Sequence, residues 1–180
     1  MKYGKFETAD EIELAVSAWF NPRANCSVPN VWWGMDLNHE CDLFIVTRAG
    51  YAYEVEIKVS KSDLVRDGRK RHAHSDYYGI IRELYFAIPK KLEPYVNLIP
   101  ERAGIIIVSD KGSPHCLRKA TPNLHARKLT DKERHKVAEL GTLRIWRLKR
   151  QLLDLKTRRY GENSRHKRKQ PGGTAQHSEL

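Results

Sequence analysis

The stretch "GYAYEVEIKVSKSDL", residues 50–64, constrains the fold of this chain more than any other. Side chains along a β-strand alternate between its two faces. As a strand it sets Tyr53, Val55, Ile57 and Val59 on one side and Glu54, Glu56 and Lys58 on the other. The apolar side must be covered by another layer. The opposite side carries two carboxylates and an ammonium at successive positions, and the rest of the chain has to account for them.

The neighbouring segments supply both the layer and the partner strand. From Thr8 to Phe20, Ile12, Ala15, Val16, Trp19 and Phe20 follow helical spacing, with Thr8 or Asp10 as the cap and Asn21-Pro22 as the stop. "CSVPNVWWG" predicts a first strand, in which Trp32 and Trp33 face opposite ways. "CDLFIVTRAGYAYEVEIKVS" predicts a hairpin with Ala49-Gly50 near its tip. Ser60 with Asp63 gives a capping pattern for a short polar helix, "SKSDLVRDGRKR". "RELYFAIP" and "AGIIIVSD" predict two more strands joined through "KKLEPYVNLIPER", and "PHCLRKA" a short edge strand. Residues 130–158 predict a long amphipathic helix or helix pair, capped by Thr130 and open to interruption at Gly141. Helix, three strands, helix, strand, strand and helix imply a mixed α/β sandwich around one central sheet.

In "HECDLFIV", Asp42 opens the strand before the turn, with Glu40 two residues earlier. Antiparallel pairing of Cys41–Thr47 with Tyr51–Val59 brings Asp42 to the end holding Glu56 and Lys58, with Glu54 and Glu40 as further candidates. Carboxylates held close raise each other's pKa unless a cation sits between them. Hard divalent ions prefer carboxylate and carbonyl oxygens. Asp42, Glu56 and the backbone carbonyl of Ile57 are such a donor set, and Lys58 could orient a water or offset charge on a phosphate. The alternative is a solvated strand face, on which Glu54, Glu56 and Lys58 pair for fractions of a kcal/mol.

Charge is divided along the chain. Residues 1–110 carry 14 Lys/Arg against 16 Asp/Glu, whereas residues 111–180 carry 19 against 6. A concentrated basic segment implies a polyanion, most simply nucleic acid, or else a solubilising tail. Arg144, Arg147, Lys149, Arg150 and Lys156 surround Leu143, Trp146, Leu148, Leu152 and Leu155, which are expected to dock on the domain and leave the bases exposed to phosphates. From Arg159 onward apolar periodicity stops, which predicts a disordered basic tail. No apolar run approaches the roughly 20 residues of a membrane span. The acidic N-terminus is unlike a secretory signal, so a cytoplasmic protein is expected. The three scattered cysteines form no disulfide framework. His39 and Cys41 with His115 and Cys116 carry zinc-type donors without a diagnostic spacing, and His72 with His74 forms an isolated His-x-His.

Asp42 followed by Glu56-Ile57-Lys58, with "EIKVSKSDLVRDGRK", "LYFAIP" and "IPERAGIIIVSD" in that order, resembles the PD-(D/E)XK nuclease superfamily, and within it the small MmcB-like DNA-repair and phage branch. The resemblance covers roughly residues 8–110; no proline precedes Asp42. It implies a restriction-endonuclease-like αβββαβ sandwich with a central mixed sheet, placed over residues 1–125, to which charge and periodicity add a basic helical extension over 126–158 and the disordered tail over 159–180. It also implies Asp42 and Glu56 as metal ligands for Mg²⁺ or Mn²⁺, Lys58 as the catalytic base or water-orienting group, and a glutamate on the first helix. Glu11 and Glu13 both qualify for that last role, with Glu13 preferred. Lys61, Arg66 and Lys70 are candidate phosphate contacts beside helix pairing of Asp67 with Lys70. The expected activity is metal-dependent hydrolysis of DNA in repair, recombination or phage DNA metabolism. RNA as substrate, a non-catalytic accessory module on the same fold, and homodimerisation all stay open.

Overall fold

A computed structural model describes residues 6–32, 34, 35, 37, 39–69 and 79–168. Helix α1 (Ala9–Trp19) leads into strands β1 (Cys26–Val31), β2 (Cys41–Val46) and β3 (Ala52–Ile57). Helix α2 (Lys61–Arg69), β4 (Ile81–Pro89), a 3-10 segment (Lys90–Leu98), β5 (Gly104–Val108), β6 (Pro114–Arg118) and α3 (Asp131–Arg168) follow. The strands form one six-stranded sheet in the order β1-β2-β3-β4-β5-β6. The first three pair antiparallel, β3–β4 and β4–β5 pair parallel, and β6 returns antiparallel. The parallel β3–β4 pair requires a crossover, and α2 lies in it. The mixed α/β class read from the element pattern is the class observed.

Each boundary has a local cause. Thr8 Oγ1 accepts from the Glu11 amide while Glu11 Oε2 accepts from the Thr8 amide, a reciprocal capping box that starts α1. The β2–β3 turn passes through Gly50 at φ +88°, a left-handed conformation that glycine adopts without a Cβ penalty. Ser60 Oγ accepts from the Asp63 amide at the head of α2. Gly104 sits where a Cβ would meet the Tyr85 ring and the Ala120 backbone nitrogen, so β5 can lie against β4 only with no side chain there.

The sheet is apolar on both faces. On one, Leu43, Ile45, Val55, Ile57, Ala87, Ile106 and Val108 pack against Ile12, Ala15, Val16 and Phe20 of α1. The other holds two clusters. Val28, Phe44, Val46, Ala52 and Ile81 pack with Leu129, just before α3, and with Val137 and Leu140 in its first turns, and Leu84, Phe86, Ile88, Ile105 and Ile107 pack with Leu64 of α2 and Leu92. The side of β3 that bears Glu54 and Glu56 lies between these two clusters.

The C-terminal region departs from expectation. The chain divides into two compact units, Met1–Gly141 and Thr142–Leu180, so the boundary falls inside α3 and not near residue 125. The first turns of α3 belong to the core because Val137 and Leu140 are buried in it. Gly141 does not interrupt the helix, and helical backbone continues to Arg168, beyond the point where apolar periodicity ends. Within the second unit Leu143, Trp146, Leu148, Leu152 and Leu155 are all exposed. Trp32 is exposed; Trp33 lies outside the described residues. Among the described residues no helix is long and apolar enough to cross a membrane.

Candidate metal and acid cluster

The site begins with a twist shared by two strands. The β1–β2 register pairs Pro29 with Leu43 and Val31 with Cys41, which sets Asn30 opposite Asp42. Asn30 has φ 53°, the left-handed region that Asn tolerates better than most residues. Alternation shifts at this rung. Leu43 and Ile45 face α1, whereas Cys41, three residues before Phe44, joins Phe44 and Val46 on the opposite side. Strict alternation would have put Cys41 beneath α1. The shift moves its thiol to the face that carries Glu54.

His39, Cys41, Glu54, Glu56 and Lys58 come together there. The β2–β3 register sets Phe44 opposite Glu54, and β4 sets Leu84 and Phe86 beside Glu54 and Glu56. Glu54 and Glu56 are therefore buried, at 2% and 5% exposure, which removes the solvated-face alternative. Glu54 Oε1 accepts from His39 Nε2 in a direct hydrogen bond. His39 Nε2 also lies 3.8 Å from Glu56 Oε1. Lys58 Nζ donates to Glu56 Oε2 at 2.5 Å and stands 5.9 Å from the Phe86 ring centroid. The second oxygen, Glu56 Oε1, is buried with no hydrogen-bond partner among the described residues. Burial pushes the Glu56 carboxyl up to about 7; Lys58 opposes this, and the carboxylates of Glu54 and Asp42 add to it. The Cys41 thiol is raised far above its ordinary value, first by burial and then by the charges of Glu54 and Glu56.

Asp42 stands at the edge of this cluster. Its Oδ2 accepts from the Ile57 amide at 2.7 Å, a bond that takes the place of a ladder bond at the end of β3. The Asp42 carboxylate is near enough to raise both the Glu56 and the Glu13 carboxyls. For Glu13 burial is the first cause, with Asp10 and then Asp42 adding to it. Glu11 is engaged elsewhere, since its Oε2 accepts from Thr8 and Glu7 at the head of α1 and these bonds hold its carboxyl low. Of the two helix glutamates, Glu13 is therefore the one in electrostatic reach of Asp42. Glu40 is exposed.

The remaining candidates are dispersed. Lys61 Nζ stacks 4.5 Å from the Tyr95 ring centroid, and Arg66 pairs with Asp63. Arg144, Arg147, Lys149 and Arg150 lie in the second unit, where Lys149 Nζ is 5.1 Å from the Trp146 ring centroid. Lys70, His72 and His74 lie outside the described residues. The four-residue zinc set is excluded. Cys116 packs with the cluster under α1, while Cys41 packs on the other face of the sheet.

Two features were missed in the residue pattern: the partnership of His39 and Cys41 with Glu54, and the depth at which Glu54 is buried. The available signal was His-x-Cys placed across a hairpin from an acid. Period-two counting hides it, because the rung at Asn30 and Asp42 reverses the facing of Cys41.

No protein-family model matches the chain, and no curated protein matches it. Among solved structures it is similar to a protein of unknown function from Silicibacter pomeroyi, with TM-score 0.57 and 17% sequence identity over 87% of this chain and 96% of that one. At that identity the likeness concerns the fold alone.

Proposed function

We propose that the protein is a divalent-metal-dependent nuclease of the PD-(D/E)XK type, with DNA as its substrate. The observation that carries this reading is Glu56. It is a buried carboxylate with one oxygen paired to Lys58 at 2.5 Å, the other without a hydrogen-bond partner among the described residues, and two further carboxylates near enough to raise its pKa. Such a convergence of negative charge fits a hard cation, and Asp42, Glu56 and the Ile57 carbonyl would hold Mg²⁺ or Mn²⁺ there. When bound, that ion supplies Lewis acidity toward a phosphate oxygen. The order helix, three antiparallel strands, helix and parallel strand in residues 9–89 accords with the same reading.

The side chains of this chain have definable tasks in it. The Ile57 amide fixes the Asp42 carboxylate at the strand end. Lys58, with 13% of its side chain exposed, is the member of its ion pair that can turn toward a water or a phosphate oxygen. Glu13, approaching from α1, adds a negative group that can accept a proton. Lys61 and the basic residues of α3 neutralise backbone phosphates without reading sequence.

The test is cleavage of supercoiled plasmid and branched DNA with Mg²⁺ or Mn²⁺. Wild type should cut, and Lys58→Ala should lose at least 100-fold in rate while retaining DNA affinity. Full DNA binding with no cutting under any divalent metal would instead establish an accessory module. Preferential cutting of RNA would move the substrate.

A further inference from the structure

We propose a second, softer metal site on the same sheet face, formed by His39, Cys41 and Glu54, which takes a transition-metal ion of the zinc class. His39 Nε2, Cys41 Sγ and a Glu54 carboxylate oxygen lie within 4.8 Å of one another. Zinc–ligand bonds of about 2.0–2.3 Å set tetrahedral donors roughly 3.3–3.8 Å apart, so closing the set needs side-chain shifts of about 1 Å. Two of the three donors sit on neighbouring paired strands, β2 and β3, which fixes their separation through the backbone. The third is two residues upstream of Cys41, on the segment entering β2.

An independent observation points into the same space. Among the described residues Glu56 Oε1 is buried and lacks a hydrogen-bond partner, and it lies 3.8 Å from the His39 nitrogen that contacts Glu54. It is a further oxygen donor beside the triad, on the His39 side. One sulfur, one imidazole nitrogen and two carboxylate oxygens make a borderline-soft set. Thiolate and imidazole ligands favour Zn²⁺ over Mg²⁺, whereas Asp42 and the Ile57 carbonyl offer oxygen alone. The ion would take the place of the hydrogen now shared between His39 and Glu54, and would bind Cys41 as the thiolate with release of its proton. The inference does not depend on nuclease activity, because it concerns ion binding by ligands that the hydrolytic reading does not use, Glu56 excepted.

The test uses the full-length chain stripped of metal and titrated with Co²⁺ as an optical probe. One equivalent should produce a thiolate-to-cobalt charge-transfer band with the intense visible absorption of tetrahedral cobalt. Zn²⁺ should abolish both at stoichiometric concentration, and a thousand-fold excess of Mg²⁺ should leave them intact. Cys41→Ser should eliminate the charge-transfer band. Because Cys41 is fully buried and its replacement can disturb folding, His39→Gln is the second variant; its side chain is 24% exposed. It should keep the wild-type circular dichroism and weaken Co²⁺ binding at least tenfold. Wild-type affinity in His39→Gln, a charge-transfer band that survives in folded Cys41→Ser, or a weak octahedral spectrum throughout would each overturn the site. A protein that fails to cut DNA yet gives the cobalt spectrum would refute the nuclease reading and leave this one standing.

Discussion

Replacing Glu56 by Gln tests whether the acid cluster is held against its own electrostatic preference. In the fold the Glu56 carboxyl is raised from 4.5 to about 7. A folded pKa above the unfolded one means that the native state binds the proton more tightly. The contribution of this group is fully present below about 4.5 and is lost as pH rises through about 7. At about 1.4 kcal/mol per pKa unit, the charged form at pH 8 costs the metal-free fold on the order of 3 kcal/mol. Gln keeps the shape and removes the charge, but it weakens the bond to Lys58 by about 1 kcal/mol. A net gain of about 2 kcal/mol corresponds to roughly 5 °C in Tm for a unit of this size. The assay is thermal unfolding by circular dichroism in chelator, for both proteins at pH 5 and pH 8. The difference between the two pH values cancels packing effects common to both. Glu56→Gln should be more stable than wild type by about 5 °C at pH 8 and no more stable at pH 5. An equal change at both values would refute the claim that burial of charge is what distinguishes this residue. Adding Mn²⁺ at pH 8 should reverse the order by stabilising wild type alone.

Two further outcomes follow from other parts of the molecule. Glu133 closes a capping box with Thr130 at the start of α3 and takes two bonds from Arg127, which hold its carboxyl down at about 2. A depressed carboxyl stabilises above its unfolded value and ceases to do so as pH falls toward about 2. Glu133→Ala should therefore cost about 1 kcal/mol in urea unfolding at pH 7, with the deficit shrinking below about pH 4. In the second unit, joint replacement of Arg144, Arg147, Lys149 and Arg150 by Gln should weaken DNA binding for every sequence. Up to four lost phosphate contacts would flatten the slope of log K against log salt by as much as about 3–4, as read by fluorescence anisotropy; an unchanged slope would remove this helix from the interface.

Much of the architecture was legible because its signals are local. The spacing of Ile12, Ala15 and Val16, the alternation through Tyr53–Val59 and the caps at Thr8, Ser60 and Thr130 each depend on a few neighbouring residues. The helix ending was not legible. Apolar periodicity stops near Arg158, but helical backbone needs no apolar face to continue, and α3 runs on to Arg168. Amphipathic spacing marks the Leu143–Leu155 stripe as one that can be buried, and its residues are exposed.

The acid cluster was legible in membership and not in depth. Glu56, Lys58 and Asp42 stand out by register, but burial of Glu54 and Glu56 depends on which residues of β2 and β4 flank them. The flanking residues are Phe44, Leu84 and Phe86, all parts of apolar clusters. A sheet face filled in this way could be closed with apolar residues at positions 54 and 56, and exchanges of that kind are often neutral or stabilising elsewhere. Compensation within the described chain is incomplete: His39 meets Glu54, Lys58 meets one oxygen of Glu56, and the other oxygen, 3.8 Å from His39 Nε2, accepts no hydrogen bond among the described residues. A further proton offers one remedy, at the expense of the negative charge. A cation offers another and retains it. The surrounding donors divide by chemistry into oxygen ligands around Asp42 and mixed sulfur, nitrogen and oxygen ligands around Cys41, so Glu56 stands where a hard and a soft ion would compete for one carboxylate. Occupancy by Zn²⁺ would withdraw Glu56 Oε1 from the oxygen site. If both proposed sites exist, metal preference becomes a means of control, with Mg²⁺ supporting hydrolysis and stoichiometric Zn²⁺ suppressing it.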